Sequence, residues 1–129
     1  MTHFKAYITL VFVLLNFSFE VAAQDTIQPV PSKSKKAVQS KISKAADDLK
    51  ESLDANDEVQ IAKNYEKLAD GFIEKGDNAK AEQYLNRALF TYKKLNRTAD
   101  KTRVTRNLAK VQESQNKISS AIQNYEAAG

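Results

Sequence analysis

Both prolines of this chain, Pro29 and Pro31, stand near its start, and none follows them in the 129-residue sequence. Proline is the residue least compatible with a helix interior, because it lacks an N–H and clashes with the preceding turn. Everything beyond residue 31 is therefore free to be helical. That stretch is rich in Ala, Lys, Glu, Leu and Gln, none branched at Cβ, so their side chains lose little freedom in a helix. No run shows the alternation of a half-buried strand, and no Asn-Gly or Asp-Gly hairpin turn appears. The fold class that follows is all-α.

Apolar residues recur at three- and four-residue steps in five segments. The first covers roughly 35–54, with Val38, Ile42, Ala45, Leu49 and Leu53 on one stripe. The second, about 58–75, carries Ile61, Tyr65, Leu68, Ala69, Phe72 and Ile73, with Asp57 to cap its start and Gly76 its end. The third, about 78–95, follows Asp77 and presents Ala81, Tyr84, Leu85, Ala88, Leu89, Tyr92 and Leu95. A fourth, about 99–114, keeps Val104, Leu108, Ala109 and Val111, and a fifth starts near Ile118 with Ala121, Ile122 and Tyr125.

Residues 1–23 have the layout of a secretory signal peptide. Lys5 gives a short positive region, and Ala6–Phe17 is an apolar run, too short for the roughly 20 residues that span a bilayer as a helix. Val21 and Ala23 are small residues placed for a cut before Gln24. Residues 24–34, which hold both prolines, read as a linker. The chain contains no Cys, and a small extracellular eukaryotic domain would more often be stapled by disulfides. The expectation is an exported protein, periplasmic or extracellular and bacterial, with no membrane insertion once the leader is removed.

Composition narrows the chemistry further. With no Cys and a single His, His3, inside the leader, thiol nucleophiles, thiolate or histidine metal sites and His-based acid–base catalysis have no residues to use. Residues 54–58 begin like a calcium loop, but Val59 stands where the loop needs glycine and Tyr65 where it needs Glu. The expectation is no enzyme, no metal and no cofactor.

Shifting the sequence by 40 residues lays the second and third segments on the fourth and fifth. Leu68/Leu108, Ala69/Ala109, Ala81/Ala121, Gln83/Gln123 and Ala88/Ala128 are then identical. Three of these are alanines, which let two helices cross closely. The pattern Tyr65-x2-Leu68-Ala69-x2-Phe72 followed by Ala81-x3-Leu85-x2-Ala88, with Gly76-Asp77 between, resembles the tetratricopeptide repeat family. Its period resembles the long, roughly 40-residue variants of exported bacterial and sensor proteins. The resemblance implies antiparallel helical hairpins stacked as a short right-handed α-solenoid. It divides the chain into a capping or partial-repeat helix at 35–57, one unit at 58–97 and a degenerate second unit at 98–129. In the second unit Leu108, Ala109, Ala121, Tyr125 and Ala128 keep their packing roles, whereas Thr105 and Gln112 stand where Tyr65 and Phe72 were, and Asn116 replaces Gly76.

The alignment ends the chain inside a helix, so the sequence reads as the N-terminal part of a longer protein whose exposed C-terminal edge invites self-association. The family binds partners along the first helix of each unit. The matching positions here are Lys63, Glu66, Asp70 and Ile73, then Arg103, Arg106 and Lys110. Charge is banded: residues 51–82 carry a net −5 and residues 93–110 a net +6. Either Arg103, Arg106 and Lys110 form a cationic wall for an acidic peptide or carboxylate, or Arg106 and Lys110 pair with Glu66 and Asp70, exposed pairs worth about 0–1 kcal/mol each. Nucleic acid is not expected, since no aromatic stacking platform accompanies the basic stripe. The function that follows is a scaffold binding a protein or peptide segment. The alternative is the periplasmic sensory region of a signalling protein such as a sensor histidine kinase.

Overall fold

The computed structural model describes residues 32–129, which form five helices: α1 (Ser32–Asp54), α2 (Glu58–Lys75), α3 (Asn78–Lys94), α4 (Thr98–Ser114) and α5 (Ile118–Ala128). The expected leader and residues 24–31 of the expected linker lie outside the described residues. Residues 32–34, assigned to that linker, instead open α1. A proline restricts the residue before it rather than the one after, so a helix can begin directly behind Pro31. No described helix is long and apolar enough to cross a membrane.

The four connections share one geometry. Each has a single residue in the left-handed region: Asn56, Gly76, Asn96 and Asn116, with φ between 53° and 83°. These positions are 20 residues apart. In each turn the following N–H reaches back to close the helix: Asp57 to the Ser52 carbonyl, Asp77 to Phe72, Arg97 to Tyr92 and Lys117 to Gln112, at 2.8–3.0 Å. The left-handed residue itself donates to the carbonyl three before it, on Leu53, Ile73, Lys93 and Glu113 respectively. This is the Schellman closure, for which glycine is the usual residue and asparagine the common substitute. The next residue starts the following helix. Asp57 and Asp77 cap it through their carboxylates, accepting from the Gln60 and Lys80 N–H groups at 3.1 Å. Arg97 and Lys117 hold the same place without a side-chain cap.

Turns of one kind at equal spacing give α2, α3 and α4 nearly equal lengths of 18, 17 and 17 residues. Among the described helices, each packs on its neighbours in sequence, and no other pair has more than an incidental contact. Small residues set the spacing between neighbours: Ala62, Ala69, Ala81, Ala88 and Ala109 are fully buried, with Leu68, Leu85, Leu108, Tyr92 and Val104 filling the space around them. Ala121 and Ala128 are buried in the same way on α5.

The two hairpins fill equivalent places differently. In the first, Phe72 stacks on Tyr84 at 5.5 Å, and Tyr84 on the half-buried Tyr65 at 6.1 Å. Forty residues on, Gln112 and Asn124 replace Phe72 and Tyr84, and the Asn124 amide donates to Gln112 Oε1 at 2.7 Å. Gln112 and Thr105 are buried despite their polarity; Thr105 donates to the Lys101 carbonyl, and Gln112 to Glu82. Glu82 also receives Gln115 at 3.0 Å and Lys117 at 2.5 Å. An aromatic stack has been exchanged for a hydrogen-bonded network that satisfies its buried members.

Tyr125, assigned to repeat packing, is 37% exposed. Its hydroxyl donates to Glu113. Its counterpart Leu85 is buried because α4 covers α3; among the described residues no helix covers α5 in the same way.

At Gly71, α1 and α2 approach closely. A Cβ added at Gly71 would lie 2.6 Å from Ile42 Cγ1, the methylene next to the branched Cβ, on a side chain that is itself buried. Gly71→Ala is therefore expected to force α1 away from α2 and to destabilise the fold by about 1–3 kcal/mol. Urea denaturation followed by circular dichroism checks this; an unchanged or higher midpoint would show that the approach is not tight.

Candidate interaction cleft

The residues expected to line a groove come from α2 and α4, which are separated in sequence by α3. Their positions follow from the turns: each reversal sends the next helix antiparallel, so α2 and α4 run the same way and offer corresponding residues. A carboxylate cluster ties them together. Glu66 on α2 accepts from Arg103 Nη2 at 2.7 Å and Nε at 3.2 Å, a two-pronged pair that suits the planar guanidinium. The buried Tyr92 hydroxyl of α3 donates to the same carboxylate at 2.6 Å. Arg103 also donates to Asp100 at 2.7 Å, and Arg97 to Asp100 at 2.5 Å.

The electrostatics follow from these contacts. Burial and the adjoining Glu66 carboxylate hold the Tyr92 hydroxyl well above the usual tyrosine range. The Arg97 hydrogen bond, with help from Arg103 and against a smaller cost of burial, lowers Asp100. The Glu66 hydrogen bond leaves Arg103 even more firmly protonated than an ordinary arginine. This part of the α2/α4 seam is consumed by internal pairing.

Beyond the cluster the seam opens into a cleft of about 440 Å³. Asp70 and Ile73 come from α2, Asn78 from the start of α3, and Asn107, Lys110, Val111 and Ser114 from α4. Three expected residues, Asp70, Ile73 and Lys110, are thus brought together. Glu66 and Arg103 are locked to each other, and Lys63 and Arg106 are exposed on their helices outside the cleft lining. The expected alternative, in which Arg106 and Lys110 pair with Glu66 and Asp70, does not form: Glu66 takes Arg103. Among the described residues Arg106, Lys110, Lys63 and Asp70 belong to no ion pair. Partial burial raises the Asp70 carboxyl; Lys41 opposes this, and the carboxylates of Glu66 and Glu74 add to it.

Tyr92 was legible as an apolar-stripe residue, but its bond to a carboxylate 26 positions earlier has no local signal. Asn78, Asn107 and Ser114 are ordinary polar residues that only the helix arrangement brings to one cleft. The cleft is lined by two aliphatic residues, Ile73 and Val111, two amides and charges of both signs, a combination suited to a peptide-like ligand. No family model, curated protein or solved structure matches the chain.

Asp70 and Glu82 make opposite predictions with pH. A carboxyl raised in the folded state stabilises it only at low pH, and the benefit is lost as pH rises through the raised value. At pH 7 the Asp70 charge is therefore a cost, and Asp70→Asn is expected to raise the melting temperature, the gain vanishing near about pH 3. Burial disfavours the Glu82 charge, but hydrogen bonds from Lys117, Gln112 and Gln115 prevail and lower its pKa. Its contribution is present above the ordinary carboxyl value and disappears as pH falls through the lowered one. Glu82→Gln is expected to lower the melting temperature at pH 7, with the deficit shrinking on acidification. Thermal melts of the two variants across pH check both signs; shifts in the same direction would contradict the assignments.

Proposed function

We propose that residues 58–128 form a tetratricopeptide-type interaction module of an exported protein, which holds a peptide or protein segment in the α2/α4 cleft. Four like turns, consecutive helix packing and alanines at the crossings support the repeat reading and the right-handed solenoid it implies. The observation that carries the functional reading is the cleft itself. Its cationic side, Lys110 with Arg106 beside it, has no acidic partner in the described chain, while the neighbouring Arg103 is fully engaged.

In this reading Ile73 and Val111 take an apolar side chain of the segment. Asn78 and Asn107 pair with its backbone, and Lys110 and Arg106 meet an acidic residue or terminal carboxylate on the α4 side, away from Asp70. Charge complementarity of this kind contributes chiefly to specificity and association rate. Reversing the two unpaired charges tests it without touching the Glu66–Arg103–Tyr92 cluster. Arg106→Glu with Lys110→Glu is expected to weaken binding of labelled acidic peptides by about tenfold or more, read as fluorescence anisotropy at low salt. Affinity unchanged by the double reversal would remove the cleft from the account.

A further inference from the structure

The outer side of α3 combines two features that the α2/α4 cleft does not use. The first is Phe90, 72% exposed and the most exposed large hydrophobic side chain among the described residues. Single exposed apolar residues are common on protein surfaces, so the setting decides what this one means. Helical spacing places Asn86, Arg87, Lys93 and Lys94 one turn away on either side of it, and all four are exposed. The second feature is charge. α3 carries Lys80, Arg87, Lys93 and Lys94 against a single acid, Glu82, which is engaged by Gln112, Gln115 and Lys117.

These cations are propped by rings more than by carboxylates. The Arg87 guanidinium lies 5.7 Å from the ring centroids of both Tyr65 and Tyr84. The Lys80 and Lys75 ammonium groups lie 5.2 and 5.9 Å from that of Phe72. A ring face holds a cation in place without neutralising it. Among the described residues Lys75, Arg87 and Lys93 belong to no ion pair; Lys80 has only Asp77 at 3.8 Å, and Lys94 pairs with Glu58. The second hairpin supplies an internal control. Forty residues on, Tyr65, Phe72 and Tyr84 become Thr105, Gln112 and Asn124, while Lys75, Lys80 and Arg87 become Gln115, Ser120 and Ala127. Rings and cations disappear together, yet α4 and α5 still pack, so the fold does not require the array.

Charge and shape together choose the partner. An excess of cations calls for an anionic surface. Phe90 stands out from its helix and takes no part in the α2/α4 cleft, so a protein partner would have to bring a pocket shaped to receive it. A lipid interface needs no such complement: it accepts a protruding ring at the headgroup boundary, and its anionic headgroups attract cations spread around that ring. We propose that the outer side of α3 docks on an anionic lipid surface. Phe90 enters the interface, and Lys80, Arg87, Lys93 and Lys94, with Lys75 of α2, face the headgroup phosphates. The contact is peripheral, since no described helix is long and apolar enough to cross a membrane. It shares no residue with the α2/α4 cleft.

The chain has no Cys, so one introduced cysteine can carry a polarity-sensitive fluorophore on the whole chain. Asn86→Cys places it one turn from Phe90, and Lys63→Cys on α2 is the control. The pair separates contact through α3 from attachment through the apolar segment at residues 6–17. Each labelled chain is titrated with vesicles of phosphatidylglycerol and phosphatidylcholine in equal parts, and with vesicles of phosphatidylcholine alone. The emission at Asn86→Cys is expected to shift to the blue on the mixed vesicles only, and that at Lys63→Cys to stay in place. Phe90→Ser and Lys93→Glu, both at exposed positions, should keep the helical signal and each raise the lipid concentration at half-shift by about fivefold or more. No shift at Asn86→Cys would overturn the proposal, as would equal shifts at the two labels or on the two kinds of vesicle. A midpoint indifferent to both substitutions would overturn it too. A shift produced by an acidic peptide and not by vesicles would assign the surface to a protein partner and overturn it equally.

Discussion

The structure depends on one backbone constraint, the left-handed residue that closes a helix every 20 positions. Asn56, Gly76, Asn96 and Asn116 each let the chain reverse within a few residues while the last carbonyls of the helix find donors. Once the reversal is fixed, helix length is fixed, and residues 40 apart come to corresponding heights on parallel helices. The α2/α4 seam, the Glu66–Arg103 pair and the correspondence between the two hairpins all follow from that register.

Within this register the two hairpins solve the packing problem with different chemistry. The first uses stacked aromatic rings, whose burial is non-directional and tolerant of small shifts. The second uses Gln112, Asn124, Gln115 and Lys117 around Glu82, where each partner must be present for the buried groups to be tolerated. The same trade governs charge. Around Glu66 and Arg103, acids and bases neutralise one another. Where the seam opens, Asp70, Arg106 and Lys110 are left without ion-pair partners. Surface available for a partner is what internal pairing does not use.

How much of this was legible in the sequence varied with the range of the interaction. Helices could be read because their apolar spacing is local, and Gly76 stood out because glycine so often closes a helix. Asn56 and Asn96 did not stand out as turn residues, because asparagine is common in many settings and its left-handed role shows only in the backbone. Thr105 and Gln112 looked like defects in the repeat; their partners, Lys101 and Glu82, give them a place in the core. The ion pairing was legible as a set of opposed charges but not as a pairing. Which of Arg103, Arg106 or Lys110 reaches Glu66 depends on how α2 and α4 cross, and side chains a turn apart on one stripe cannot be ranked from sequence.

The central claim is that equal turns build an open row of helices in which neighbours in sequence are the neighbours in space. A spin-label distance between α1 and α5 tests it most directly, with labels at the exposed positions Lys44 and Gln123. Packed helix axes lie about 8–10 Å apart, so an open row predicts a separation of at least two such spacings, about 20 Å or more. A distance near a single spacing, about 10 Å, would place α5 against α1 in a closed bundle and contradict the account.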